Sequence, residues 1–450
     1  MSDLDSAVAA VRERIDPGED ERERLAAVAD ELGGRVRDAL ADIGVEADVL
    51  QVGSTARGTW LAGDRDIDLF VRFPTDLDRE KLERYGLEVG YAALPDGHEE
   101  YAEHPYVKGE YEGFEVDLVP CYDVDDAADI RSAVDRTPFH NAYLRERLDA
   151  DLAADARLFK AFLKGVGAYG SDLRTRGFSG YLTELLVVEY GGFEAVVEAA
   201  ADWHPPVRLD PAGHGEDEFE DPLVVVDPTD PNRNVAAVLS AENVARLQHY
   251  ARDLLSDPRE ELFEPVSRTP LSVEAAREHL SRRGTTPVAV VFDAPDLVDD
   301  QLYPQLRRSL HGIADELDRR GFTSIRSATF ADGRAVLLVE LEVADLPAVE
   351  RHDGPPVHVR EHASQFFETY EDADVYGPFV DGDRYVVERE RGFTSAVELL
   401  RDDAVFDVAL GAHVERVMAD DGYDVLVGAE VAALADEFGE ELATYFDPRP

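Results

Sequence analysis

The sequence predicts a multidomain α+β protein, and three observations carry that expectation. At 450 residues the chain is too long for one hydrophobic core and points to roughly two to four domains. In the first third, amphipathic helical spacing gives way to strict alternation in Asp66-Ile-Asp-Leu-Phe-Val71 and again from Phe114 to Val119, the period of half-buried strands. The middle is dominated by helical spacing, and beyond about residue 270 strand-like and helix-like segments alternate once more.

Taken in order, residues 1–45 read as one or two amphipathic helices: Val8, Val11 and Ile15, then Leu25, Val28, Leu32, Val36 and Leu40, recur at helical spacing. Gly33-Gly34 is expected to loosen the second. From Gln51 to Pro74 runs the stretch the rest serves. Gly53-Ser54 supplies a turn with exposed backbone N–H groups and a hydroxyl, suited to phosphate oxygens. Arg57 follows, and the strand after it puts Ile67, Leu69 and Val71 on one side with Asp66, Asp68 and Phe70 on the other. Thr75 to Glu83 reads as helical, Tyr85 to Pro105 as helix then turn. Tyr106–Lys108 and Phe114–Val119 read as paired strands about a turn at Gly109, with Asp117 on the same strand face as Glu115 and Val119.

Thr137-Pro138 has the form of a helix start with Thr137 as N-cap, the helix running to about Leu148. A second helix buries Leu152, Ala156, Phe159, Leu163 and Val166 and ends at Gly165–Gly167, with Tyr169 just beyond. Gly177-Phe-Ser-Gly-Tyr181 opens a third, capped by Ser179. After a surface loop at 205–222 come a buried strand at Leu223–Val226, a loop carrying Arg233 among Asp227, Asp230 and Asn234, and a helix from about Val235 to Leu255. The composition changes near Asp257–Pro270, where a linker is expected. Val288–Phe292 and Ala335–Val343 read as strands flanking a helix at Leu302–Arg319, and Asp381-Gly382 marks a hairpin before two terminal helices.

The charge is the unusual quantity. With 45 Lys+Arg against 97 Asp+Glu, the net charge is −52, a self-repulsion that molar salt screens at a Debye length of ~3 Å. The acids are interleaved with arginine throughout, unlike a disordered acidic tail, and lysine occurs only at 81, 108, 160 and 164. Such a surface predicts a halophilic protein. In molar salt counterion release contributes little, so RNA would have to be held by shape, stacking and direct arginine contacts. One cysteine, Cys121, excludes an internal disulfide and reads as a buried apolar residue. No apolar run approaches the ~18 residues of a membrane span, and the acidic amino terminus lacks a signal-peptide pattern; the expected location is cytoplasmic, with no membrane partner.

Two carboxylates two residues apart on a strand repel unless a cation lies between them or one is protonated. An Asp-x-Asp is cheap by chance among 97 acids; a dozen residues after Gly53-Ser54 it is a candidate nucleotidyl-transfer site. Asp66, Asp68 and Asp117 could together hold two Mg²⁺ ions, one lowering the pKa of an attacking 3′-hydroxyl and one neutralising pyrophosphate. Ser54 and Arg57 would grip the phosphates. His140 could bond a phosphate or ribose, or merely cap a helix. Lys160, kept in a chain that avoids lysine, suggests a point charge for phosphate. Tyr169 could stack on a base or simply pack. Arg233 could read a base edge or bridge the neighbouring acids.

Gly53-Ser54-x-x-Arg57-Gly58-Thr59-x-Leu61, then Asp66-x-Asp68, then Asp117, resembles the polymerase β-type nucleotidyltransferases and within them the archaeal class I CCA-adding enzymes. Gly177-Phe-Ser-Gly-Tyr181 and the Asp-Pro-x-Asp-Pro-x-Arg-Asn-Val run at 227–235 are in keeping with that family and fall in its order. The resemblance is strong over about 51–240 and rests on layout beyond about 270. It implies a polymerase β-like nucleotidyltransferase head (1–138), a helical middle domain (139–262) and an α+β C-terminal body and tail (263–450). It also implies metal binding by Asp66, Asp68 and Asp117, triphosphate binding by Ser54 and Arg57 at the Gly53 phosphate turn, and nucleotide contacts from His140, Lys160 and Tyr169. Arg233 would help choose C or A. The implied partners are the tRNA acceptor arm, CTP and ATP, with a homodimer admitted. The rival readings are another RNA nucleotidyltransferase, such as a poly(A) polymerase, and a non-catalytic RNA-binding relative.

Overall fold

A computed structural model describes residues 3–450; Met1 and Ser2, at the start of the first expected helix, lie outside the described residues. The chain divides into two compact units, one up to Val266 and one from Ser267 to Arg449.

In the first unit, α1 (Asp3–Ile15) and α2 (Glu19–Ile43) precede β1 (Asp48–Val52), a short α3 (Gly53–Arg57) and β2 (Asp66–Phe73). Then follow α4 (Arg79–Ala93), β3 (His98–Tyr101), β4 (Pro105–Tyr111) and β5 (Phe114–Tyr122). The five strands form one sheet in the order β1-β2-β5-β4-β3. Only β2 and β5 run parallel, while the other pairs are antiparallel.

The alternation read from the sequence decides what each face does. Ile67, Leu69, Val71, Val107, Val116 and Leu118 face a core closed by Leu25, Val28, Leu32, Val36 and Leu40 of α2 and by Leu82 and Val89 of α4. The opposite face carries Asp66, Asp68 and Asp117 at one end of the strands. Beyond them lies a small apolar cluster of Val52, Phe70, Val119 and Cys121. Cys121 is buried there as expected, and burial pushes its thiol pKa well up. Gly86 and Gly90 let α4 lie close to the sheet: a β-carbon would meet Pro120 at 2.7 Å and Val107 at 2.5 Å, respectively.

Helices α5 (Thr137–Arg145), α6 (Ala150–Gly165), α7 (Gly180–Tyr190), α8 (Phe193–Ala201) and α9 (Ala241–Ser256), with β6 (Val207–Leu209), β7 (Leu223–Asp227) and β8 (Asp230–Asn234), complete the unit. Their core gathers Phe159, Phe162, Phe178, Leu185, Val196, Leu247 and Phe263. Asp149 and Ser179 cap α6 and α7 by accepting backbone N–H groups.

Several boundaries differ from expectation, each for a local reason. α2 runs unbroken through Gly33-Gly34, its apolar stripe outweighing glycine's lower propensity. The β4–β5 turn falls at Glu112-Gly113, both at positive φ, not at Gly109, which stays in β4. α4 begins at Arg79 because Asp78 accepts the Lys81 N–H. His98–Tyr101 is an exposed edge strand without apolar alternation. Thr137 is already helical: the start lies upstream, in a turn at Ala133–Arg136 where Asp135 accepts the Ser132 and Arg131 N–H groups. Arg233 sits in a hairpin strand, not a loop, and α9 waits for its Ser240 cap.

The second unit holds α10 (Val273–Arg283), β9 (Thr286–Asp293), α11 (Asp299–Arg320), β10 (Ser324–Ala331) and β11 (Arg334–Leu341). β12 (Val349–Pro356), α12 (Arg360–Tyr370), β13 (Tyr376–Asp381) and β14 (Arg384–Glu390) come next, then α13 (Ala396–Arg401), α14 (Ala412–Asp420), β15 (Asp424–Val427) and α15 (Ala435–Phe446). A four-stranded antiparallel sheet, β10-β11-β9-β15, has α11 on one face and α10 with α15 on the other. A second sheet, β12-β14-β13, contains the hairpin expected around Asp381-Gly382. No helix among the described residues is long and apolar enough to cross a membrane.

Candidate active site

The site is assembled across the five-stranded sheet by register. Asp68 is the direct partner of Val52 on β1 and of Asp117 on β5, and Asp117 is in turn the partner of Lys108 on β4. Asp66 lies one pleat away, opposite Glu115. Gly53 follows β1 immediately. Its backbone is left-handed at φ +76°, and a β-carbon there would lie 2.0 Å from Asp68 Oδ2, so only glycine lets the carboxylate rest against the turn.

These acids carry the electrostatic signature of a cation site. Burial, then the charges of Asp117 and Asp66, push the Asp68 pKa up to about 6. Burial also raises Asp117, partly offset by Lys108. Asp117 Oδ1 is buried without a hydrogen-bond donor; Lys108 Nζ is 3.6 Å away, closer to Glu115 at 3.3 Å. Among the described residues no trio of His, Cys, Asp or Glu side chains converges as a finished metal cage. Hard oxygen donors, one of them orphaned, nonetheless fit Mg²⁺, which takes few protein ligands and keeps water on its other positions. Three acids left mutually repelling are the arrangement a divalent cation relieves.

Beside the acids, Gly53, Ser54, Arg57, Lys160, Tyr169 and Tyr181, with Glu184, line one cavity of about 210 Å³. Arg57 is held rigidly. It donates from Nε to Glu184 Oε2 at 2.8 Å and from Nη1 to Asn141 Oδ1 at 2.9 Å, and Nη2 is also 2.8 Å from Glu184. Thr59 donates its hydroxyl to the other Glu184 oxygen. Lys160 on α6 is 2.7 Å from Asp64, which also takes Lys164 at 3.4 Å. Both ammonium groups lie 5.6 Å from the Tyr169 ring centre. A backbone bridge between Tyr169 and Phe178 fixes that tyrosine.

His140 and Arg233 meet on Asp227, one of the acids that flank Arg233 in sequence. Asp227, fully buried, accepts from both at 2.7 Å through Oδ2 and from the Thr229 backbone and hydroxyl through Oδ1. Burial alone would raise its pKa, but the bonds from His140 and Thr229 outweigh it and hold Asp227 well below the usual carboxylate range. His140 is lowered by burial, which Asp227 only partly counters, and its ring stacks on Tyr181 at 3.9 Å.

The structure therefore brings Gly53, Ser54, Arg57, Lys160 and Tyr169 to one cavity with the acids alongside, and joins His140 to Arg233 through Asp227. Asp64, Lys108, Tyr181, Glu184 and Asp227 were not singled out as site residues. Three of them had a signal: Lys108 is one of four lysines, and Tyr181 and Asp227 stand in the 177–181 and 227–235 runs.

Known proteins resemble the chain along its whole length. A model described as a nucleotidyltransferase domain matches residues 34–140, one for the second domain of tRNA nucleotidyltransferase matches 154–264, and one for the C-terminal domain of CCA-adding enzyme matches 283–428. The CCA-adding enzyme of Halorubrum lacusprofundi is 64% identical over 464 residues, spanning 100% of each chain. That of Haloarcula marismortui is 62% identical over 467 residues, again 100% of each, and that of Methanosarcina barkeri 41% identical over 95% of each. The haloarchaeal sources suit the charge of −52. Among solved structures, a cytoplasmic RNA terminal U-transferase is similar at a TM-score of 0.46 and 18% identity, covering 60% of this chain and 100% of that one. Nucleotidyltransferases of this kind work with divalent metal ions. With three models matched in order and relatives 62–64% identical along the whole length, the chain belongs to the family of CCA-adding enzymes.

Proposed function

We propose that this chain completes the 3′ end of tRNA in the cytoplasm. It adds C, C and A in turn from CTP and ATP, without a nucleic-acid template, and releases pyrophosphate. The observation that carries this reading is the convergence of the glycine-serine turn, Arg57, Lys160 and Tyr169 on one cavity against which Asp68 is packed. Asp66, Asp68 and Asp117 are the residues that would hold two Mg²⁺ ions, which supply a more acidic 3′-hydroxyl and neutralise the leaving pyrophosphate.

The protein's own groups position the reactants. Ser54 and the Gly53 backbone take phosphate oxygens. Arg57, its fork fixed by Glu184 and Asn141, offers its remaining donors to the same phosphates. Lys160 exchanges Asp64 for the triphosphate. Tyr169 packs beside it. Asp227 keeps neutral His140 and charged Arg233 in one orientation, so that Arg233 presents unused donors to the edge of C or A. The catalytic head is residues 1–138, the middle domain completing the pocket is 139–262, and 263–450 clasp the acceptor arm.

The test is incubation with tRNA lacking its 3′ end, CTP, ATP and Mg²⁺ in molar KCl, followed by sequencing of the product ends. Addition stopping after C, C and A is expected; long tails made from ATP alone would replace the reading with a poly(A) polymerase. Asp68→Ala is expected to abolish incorporation and leave tRNA binding intact.

A further inference from the structure

Across the sheet the site has a direction. Gly53 at the end of β1 marks the triphosphate side, Asp68 on β2 and Asp117 on β5 form the middle, and Lys108 on β4 follows on the far side. In nucleotidyl transfer the attacking and leaving oxygens lie roughly in line through phosphorus. A triphosphate whose pyrophosphate lies toward Gly53 and Arg57 must therefore be attacked from the β5–β4 side.

Lys108 stands there about one-third exposed. Of its three donors only one reaches an acceptor within hydrogen-bond range, at 3.3 Å on Glu115, while Asp117 is out of range at 3.6 Å. Of the four lysines in this chain, Lys160 and Lys164 serve the nucleotide side and Lys81 pairs with Asp78 on a helix start. Lys108 is thus the one lysine facing where the acceptor strand must enter.

We propose that Lys108 binds the acceptor RNA, holding the last phosphodiester of the incoming 3′ end so that its terminal hydroxyl faces the triphosphate. This rests on the nucleotidyl-transfer reading above. A compact ammonium suits the task because a phosphate oxygen can replace one donor's water without Glu115 being given up. A divalent cation held by Asp117 would repel the Lys108 ammonium, 3.6 Å from that acid, and would leave its other donors to the RNA.

The test is a double-mutant cycle in molar KCl between Lys108→Met and an acceptor tRNA whose last linkage is an uncharged methylphosphonate. Each change alone is expected to lower kcat/KM for tRNA about tenfold, the scale of one charge-assisted hydrogen bond. Together they should lower it no further than either alone. The KM for CTP and the melting temperature should stay as in the wild type, and Lys108→Arg should recover part of the loss. Additive losses, an unaffected Lys108→Met enzyme, or a loss confined to KM for CTP would each overturn the assignment. Failure of the underlying reading is separable: the unmodified enzyme would then extend neither tRNA.

Discussion

Asp68 and Gly53 are in such close contact that the carboxylate occupies the space a side chain on residue 53 would need: an added β-carbon would lie 2.0 Å from Oδ2. The phosphate turn and the acid strand are thereby one unit. Gly53→Ala is expected to displace Asp68 and to strain a backbone at φ +76°. Incorporation of CTP should fall about 10²-fold or more, the cost of misplacing a reacting group by an ångström, with tRNA binding retained. Wild-type turnover in Gly53→Ala would show the contact to be dispensable.

The raised Asp68 pKa gives the metal-free protein a defined pH dependence. Because the folded value, about 6, exceeds the reference 3.8, the contribution to stability is complete below pH 4 and is lost as pH rises through 6. The shift corresponds to about 3 kcal/mol. Asp68→Asn should remove this slope, so that in EDTA the variant is the more stable of the two at pH 7.5 relative to pH 4. Denaturation curves at both pH values check this; parallel pH profiles would contradict it.

Arg57 and Glu184 are a buried pair, exposed by 9% and 4%. Removing one partner leaves the other charge uncompensated, at about 3–5 kcal/mol. Glu184→Ala is expected to destabilise by that amount and to raise KM for CTP and ATP. Glu184→Gln, able to accept one of the hydrogen bonds, should recover most of the stability and only part of the nucleotide affinity. Thermal unfolding and initial-rate kinetics separate the two effects.

Asp227 fixes both His140 and Arg233. In the wild type His140 should be neutral at pH 7, since burial lowers its pKa from 6.5. Asp227→Asn removes the charge that partly counters burial, so the His140 pKa should drop further. Histidine-labelled NMR titration reads this directly. The same change should blur the choice between CTP and ATP, measured as the ratio of their kcat/KM values, because Arg233 loses its anchor.

How much of this was legible in the chain follows from which interactions are local. Ile67, Leu69 and Val71 announce one face of β2, and the spacing of Leu25 to Leu40 announces α2, because each signal repeats within one element. Ser179 caps α7 as read, the capping bond spanning three residues. The Thr137 cap fails because the helical turn already begins at Ala133, where Asp135 accepts the Ser132 N–H. Glu184 could not be paired with Arg57 from sequence, since 127 positions separate them. Asp64 and Lys160 stand 96 apart and His140 and Asp227 87 apart, and nothing local to either partner announces the other. β3 was missed because an edge strand of polar residues carries no period-two pattern.

The central claim is that Asp66, Asp68 and Asp117 take divalent cations beside the triphosphate cavity. The most direct measurement counts Mn²⁺ bound in the presence of CTP, by electron paramagnetic resonance of the free ion in molar KCl. Two bound ions are predicted for the wild type, and loss of both tight sites for the Asp68→Asn, Asp117→Asn double variant with its fold intact. An unchanged stoichiometry and affinity in that variant would contradict the account.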